Sequence, residues 1–166
     1  QALRYRVAFA QHDDGAGLPG GEQRWQALGD GRFEVVVDPD AATIVSSAPS
    51  PAHLASTTWI NADDAGIRRL AEIAIASVAA PADRMARLEQ ATRARIERHS
   101  MRVGYASARE AFDRRDGDCT EHALLLAAMA RSIGIPARIV IGLVYAEQFG
   151  RHDRVFAPHA WVQAFV

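Results

Sequence analysis

The chain contains no lysine: all 19 of its basic residues are arginine. That excludes a lysine Schiff base and a lysine-dependent phosphate loop. It has one cysteine in 166 residues, so no internal disulfide can close. No apolar run reaches the ~18 residues that a membrane-spanning helix needs. The formal net charge is −1, so no field of one sign draws the chain to nucleic acid or an anionic membrane. No secretory leader is visible, because Gln1 opens directly onto a strand-like alternation. The chain starts without Met and stops at Val166 inside an apolar alternation, which reads as a fragment or a processed form. What remains is ordinary for a globular protein, with 49% hydrophobic and 23% charged residues. The length suits one full core, or one core with a small appended subdomain.

The first sixty residues read as a small β unit without recognisable chemistry. Residues 3–9 alternate Leu3, Tyr5, Val7 and Phe9 against polar or small neighbours, as a half-buried strand does. Residues 12–21 are rich in Gly, Asp and Pro and predict a loop. A second strand is expected over Gln23–Leu28, with Gly29-Asp30-Gly31 turning into Phe33, Val35 and Val37. Ala42–Ser46 predicts another strand and 47–53 a linker. The expected boundary places a β-rich region at 1–58 and a second region at 59–166.

After Trp59 the apolar period becomes helical. Asn61 or Asp63 is expected to cap a helix carrying Ile67, Leu70, Ala71, Ala74, Ile75 and Val78. Pro81 breaks it and opens the next helix, which carries Met85, Leu88, Thr92 and Ile96 on one side. Its arginines at 84, 87, 93, 95 and 98 read as a solvated face rather than an anion site. Ser107 to Glu110 fits a capping box for a short helix through Phe112.

Residues 116–166 carry the chemistry. Asp116-Gly117-Asp118-Cys119-Thr120-Glu121-His122 leads into Ala123–Ala130, which is apolar all round and therefore belongs in the core. Asp118 can cap this helix, with Glu121 completing a box. Cys119 then holds the first helical position, where free N–H groups and the positive end of the dipole favour a thiolate. Gly134, Ile135 and Pro136 end the helix. Ala137–Tyr145 predicts a buried strand, residues 146–158 a polar loop, and His159–Val166 a second strand. A helix followed by such a pair can return His159 to the start of the helix, within hydrogen-bond reach of Cys119. A nucleophile and base so placed form an activated thiol site.

Other roles are open to these residues. His122 reads as a structural hydrogen-bonder rather than a second base. Cys119, His122, His152 and His159 could be drawn as a zinc set, but the Cys-x-x-His pair lacks a matching second pair. Trp161 reads as a core or cleft-wall aromatic. Asp153 could orient His159, although a solvated loop acid is the plainer role.

Three separated motifs occur in order: Arg115-Asp-Gly-Asp-Cys119-Thr-Glu-His-Ala, Ile133-Gly-Ile-Pro-Ala-Arg138 with Gly142, and Pro158-His159-Ala-Trp161-Val162. Together they resemble the core of bacterial transglutaminase-like proteins. The resemblance covers about 50 residues at the C-terminal end, and the helices over 63–113 are similar to those that precede the nucleophile in that family. It implies an α+β, papain-like or transglutaminase-like fold, with a nucleophile helix packed on an antiparallel sheet. It implies Cys119 as nucleophile, His159 as general base and later acid, and a supporting role for Asp118, Trp161 and the Cys119 backbone around the oxyanion. The third member, an aspartate on the strand after the histidine strand, is absent from this chain. The implied chemistry is acyl transfer, deamidation or hydrolysis of a carboxamide or peptide bond through a thioester. The implied partner is a protein or peptide substrate. No cofactor, metal or nucleic acid is implied. The other expectation is a catalytically inactive binding module that keeps the fold. Substrate, acyl acceptor, compartment and oligomeric state are not written in the sequence.

Overall fold

Two compact units, Gln1–Ala48 and Pro49–Val166, make up the chain, and the computed structural model describes residues 2–8, 23–38, 48–100 and 106–166. The first unit is a three-stranded antiparallel sheet of β1 (Leu3–Ala8), β2 (Gln23–Gly29) and β3 (Arg32–Val37), in the order β1-β3-β2. Asp30 and Gly31 make the two-residue turn with φ of 52° and 68°. Positive φ at both central positions is what matches the turn to the twist of the flanking strands, and Asp-Gly tolerates it. Tyr5 and Trp25 flank the buried Val35 in register. Phe9, the loop at 12–21 and the strand expected at Ala42–Ser46 lie outside the described residues, as does most of the boundary region before Ala48.

The second unit begins with a 3-10 turn at Pro51–His53 in the stretch expected to be a linker. Ser50 N–H donates to His53 Nδ1 at 3.0 Å, and Pro51 presets the backbone. Four helices follow: α1 (Ala65–Ile75), α2 (Pro81–Arg95), α3 (Ala108–Arg114) and α4 (Cys119–Ser132). A two-stranded antiparallel sheet of β4 (Ala137–Phe149) and β5 (His152–Ala164) closes the unit.

α4 is the central element and packs against α1, α2, α3, β4 and β5. Its Leu125, Ala127, Ala128 and Met129 meet Ile67, Ala71, Leu88, Ile96, Ala108 and Ala111 in one apolar cluster. Each fully buried Leu, Ile or Met contributes roughly 1.5–3 kcal/mol relative to an exposed one, so the helix expected to be core is the element that holds the others. It ends as its sequence predicts. Gly134 takes φ 84°, and Ile135 N–H donates to Ala130 O at 3.0 Å. Beyond that end the buried Arg131 donates from Nε and Nη2 to Ala137 O at 3.1 and 2.8 Å, and from Nη1 to Ala55 O at 2.6 Å. Burial pushes this guanidinium below its ordinary pKa. The contact ties the end of α4 to the start of β4.

Several expected boundaries move. Asp64, not Asn61 or Asp63, caps α1, accepting from Gly66 and Ile67 N–H at 2.9 Å each. Asn61 instead accepts the Arg109 N–H of α3 at 2.9 Å. α1 stops at Ile75, short of Val78, and α2 stops at Arg95, leaving Ile96 as a buried residue just past the helix. The polar loop expected over 146–158 is largely strand. Pairing runs without a break in register from Ala137↔Ala164 to Ala146↔Val155 and ends at Phe149↔His152 around Gly150, which takes φ 62°. Ile141 and Leu143, expected to be buried, are 77% and 59% exposed.

Candidate active site at the start of the buried helix

Asp118 caps α4 and places Cys119 in its first position, where the thiol is half-buried. Four amides crowd this end. Asp118 accepts from Thr120 N–H at 2.9 Å and from the Glu121 N–H, while Glu121 Oε2 accepts from Asp118 N–H at 3.0 Å. The Cys119 N–H has no acceptor among the described residues. The cap therefore saturates the neighbours of Cys119 and leaves its own N–H without an acceptor among the described residues, at the positive end of the helix dipole.

His122 stands one turn further along α4. Its Nδ1 lies 2.7 Å from Asp118 O; a carbonyl only accepts, so that nitrogen carries the proton. Its ring stacks on His99 with centroids 5.3 Å apart and planes at 14°. His99 arrives because residues 97–100 lie alongside 115–117. Glu97 N–H donates to Arg115 O at 3.1 Å, Gly117 N–H to Arg98 O at 3.0 Å, and Ser100 N–H and Oγ–H to the Asp116 carboxylate at 3.1 and 2.9 Å. The Ser100 backbone and hydroxyl together hold the Asp116 carboxyl below its ordinary range.

His159 sits on β5 opposite Gly142 of β4. Trp161 shares its face, and the indole edge lies on Gly142, where a Cβ would come 2.7 Å from Cη2. Gly142 therefore admits the Trp161 ring beside His159. The two ends of the site relate through α4 and β5, which pack together. Their common end is fixed by the Arg131 contact to Ala137, the partner of Ala164. From there α4 rises about 20 Å to Cys119 and β5 runs about 17 Å back to His159.

The protected face of the hairpin also changes at this position. Nearer the common end, Val162 and Ala164 pack on the core, and Ala160 beside them is 6% exposed. Past His159 the other face is protected, with Ala157 at 4%. Two-stranded ribbons twist strongly, and His159 belongs to the face that is covered beyond the crossover. His159 itself is exposed, and no hydrogen bond joins it to Cys119 or to a carboxylate among the described residues. Asp153 and His152 lie about 20 Å or more along β5 from His159, so neither orients it. Among the described residues no group of three or more His, Cys, Asp and Glu side chains is placed to hold a metal ion. A hollow of about 300 Å³ between α1 and α2, lined by Leu70, Ile73, Ala91, Arg95, Glu97 and Arg115, includes none of Cys119, His122 and His159.

Two features of the site escape sequence reasoning. Glu121 is 1% exposed, deeper than a capping box requires, and its Oε1 accepts from Ala106 N–H at 3.0 Å. Its position at the third helical residue signals the box but not the second bond. The His99 stack depends on a tertiary strand-like contact with no local signature.

The transglutaminase-like superfamily model matches residues 68–166. A putative cysteine protease from Cytophaga hutchinsonii superposes with a TM-score of 0.57 at 16% identity, over 99% of this chain and 61% of that one. The periplasmic domain of TgpA from Pseudomonas aeruginosa matches 80% of the chain with a TM-score of 0.56. Identity is 26% for its ethylmercury-bound structure and 24% for another, over 50% and 49% of those chains. The chain thus spans about half to three fifths of these solved relatives. No curated protein matches it. No described helix is long and apolar enough to cross a membrane.

Proposed function

The chain belongs to the transglutaminase-like superfamily, and on that premise we propose that it is a cysteine enzyme acting on carboxamide or peptide amide bonds through a thioester. The observation that carries this reading is the half-buried Cys119 at the first position of a buried helix, with an N–H that has no acceptor among the described residues. The place of His159 on β5, a strand that packs against α4, supports its assignment as the base.

In this mechanism the Cys119 sulfur, having given its proton to His159, attacks the amide carbon. The C=O electrons move to oxygen, and the Cys119 N–H donates a hydrogen bond to the developing oxyanion. Collapse of the adduct breaks the C–N bond, and the His159 imidazolium gives its proton to the leaving ammonia or amine. The thioester is then resolved by water or by an amine, with His159 taking the proton from the incoming nucleophile. Water gives hydrolysis or deamidation, and an amine gives a transferred acyl group. Asp118 fixes the helix start, and Trp161 walls the His159 side.

The test is incubation with a glutamine-containing peptide, reading ammonia release and the mass of a trapped thioester. Release by the native chain, abolished in Cys119→Ala and strongly reduced in His159→Ala, is the expected result. A Cys119→Ala protein as active as the native one contradicts it. The absence of a hydrogen bond between Cys119 and His159 favours a second reading, a non-catalytic binding module. Peptide binding without turnover would select it.

A further inference from the structure

We propose that Glu121 is a positioning residue for the nucleophile: its buried carboxylate fixes the backbone on both sides of Cys119 so that the Cys119 N–H faces the reacting carbonyl. The inference rests on the cysteine chemistry proposed above and assigns a task to a residue that does not itself touch substrate.

A capping-box glutamate ordinarily lies at the surface, where its bond to the cap N–H needs no burial. Here the carboxylate is almost wholly buried, at 1% exposure. A buried carboxylate is costly unless donors surround it. Glu121 meets that demand with two backbone donors from separate segments, Asp118 N–H to Oε2 and Ala106 N–H to Oε1, both at 3.0 Å. It is also locked sterically. Gly117 runs so close that a Cβ there would lie 2.3 Å from Glu121 Cβ and 2.7 Å from Cγ. The carboxylate therefore joins the residue before the nucleophile to the residue that leads into α3. Asp118 takes the next two amides of the turn, Thr120 and Glu121. Between them the two acids occupy every amide of the turn except the one an oxyanion would use.

Replacing Glu121 by glutamine keeps the volume but supplies one acceptor oxygen where two are needed. Either Asp118 or Ala106 loses its partner, and the Cys119 amide is no longer held in direction. The loss falls on steps that develop an oxyanion and spares those that do not. Alkylation by iodoacetamide forms the S–C bond and expels iodide without any oxyanion. A peptide aldehyde instead adds the thiol across its C=O, sulfur to carbon and proton to oxygen, and its oxygen lies where the Cys119 N–H points.

The experiment compares native and Glu121→Gln proteins, both checked for cooperative melting above the assay temperature. In Glu121→Gln, kcat for amide turnover and affinity for a peptide aldehyde should each fall roughly 10–100-fold. KM and the iodoacetamide rate at Cys119 should stay close to native. Parallel loss of alkylation and turnover, or no loss of either, overturns the proposal. Amide hydrogen exchange on the native protein decides the matter even if the variant fails to fold or the chain turns over no amide. Slow exchange at Asp118 and Ala106 with fast exchange at Cys119 supports the arrangement, and a protected Cys119 amide overturns it. Absence of turnover in the native protein would count against the proposed function, while the exchange pattern would still judge Glu121.

Discussion

Gly142→Ala is a one-methyl perturbation whose consequence can be worked from distances. The new Cβ would stand 2.7 Å from Cη2 and 3.1 Å from Cζ3 of Trp161. Carbon atoms rest at ~3.5–4.0 Å, so the indole must retreat by about 1 Å. Overpacking of this kind costs about 1–3 kcal/mol, and alanine recovers about 0.5–1 kcal/mol over glycine within a strand. The net loss is then about 0–2.5 kcal/mol, a fall of up to several degrees in melting temperature for a chain of this size. The displacement should also reach His159, which pairs with Gly142 across the ladder, and lower amide turnover by more than the stability loss explains. Thermal unfolding followed by tryptophan emission measures the first effect, with Trp161→Phe assigning the signal among three tryptophans. In the Trp161→Phe background the alanine should become nearly neutral. An unchanged melting temperature, emission and turnover in Gly142→Ala would refute the account of Gly142 as the space for the indole.

Arg131→Met should destabilise by roughly 2–4 kcal/mol, because the Ala137 and Ala55 carbonyls lose a charged donor; a lowered urea midpoint with unchanged slope is the readout. Ser107→Ala should cost about 1 kcal/mol through loss of the α3 cap, measured in the same way. Asp64 supplies a pH dependence. Partial burial raises its carboxyl, but the Ile67 and Gly66 N–H groups and Arg109 outweigh that and leave it below 3.8. A depressed folded pKa contributes stability that is present above the unfolded value and lost as pH falls through the folded one. Asp64→Asn should therefore melt below the native protein at pH 7, and the gap should narrow as pH falls under about 4. A gap independent of pH would show that the carboxylate charge has no part in it.

The parts of the fold that the sequence made legible are those set by neighbours in the chain. Asp118, Glu121, Gly134 and Pro136 fix α4 within a few residues of either end, so both its bounds and its burial follow from reading locally. The errors come from competition and from exposure. Asn61, Asp63 and Asp64 are all cap residues within one turn, and the choice of Asp64 depends on Asn61 being held by Arg109 of a distant helix. The outer half of the β4–β5 hairpin is largely exposed and carries polar residues, so its pattern imitates a loop although its backbone remains paired. The site divides in the same way. The place of Cys119 at the head of α4 follows from its cap, whereas the second bond of Glu121 and the stack of His99 on His122 exist only in three dimensions.

The central claim is that the thiol at position 119 is activated by the imidazole at position 159. The rate of Cys119 alkylation by iodoacetamide, followed from pH 5 to 9 in native and His159→Ala proteins of equal stability, tests it most directly. The account predicts fast native labelling near neutrality and slow labelling in His159→Ala until the solution is alkaline. Superimposable rate profiles for the two proteins would contradict it.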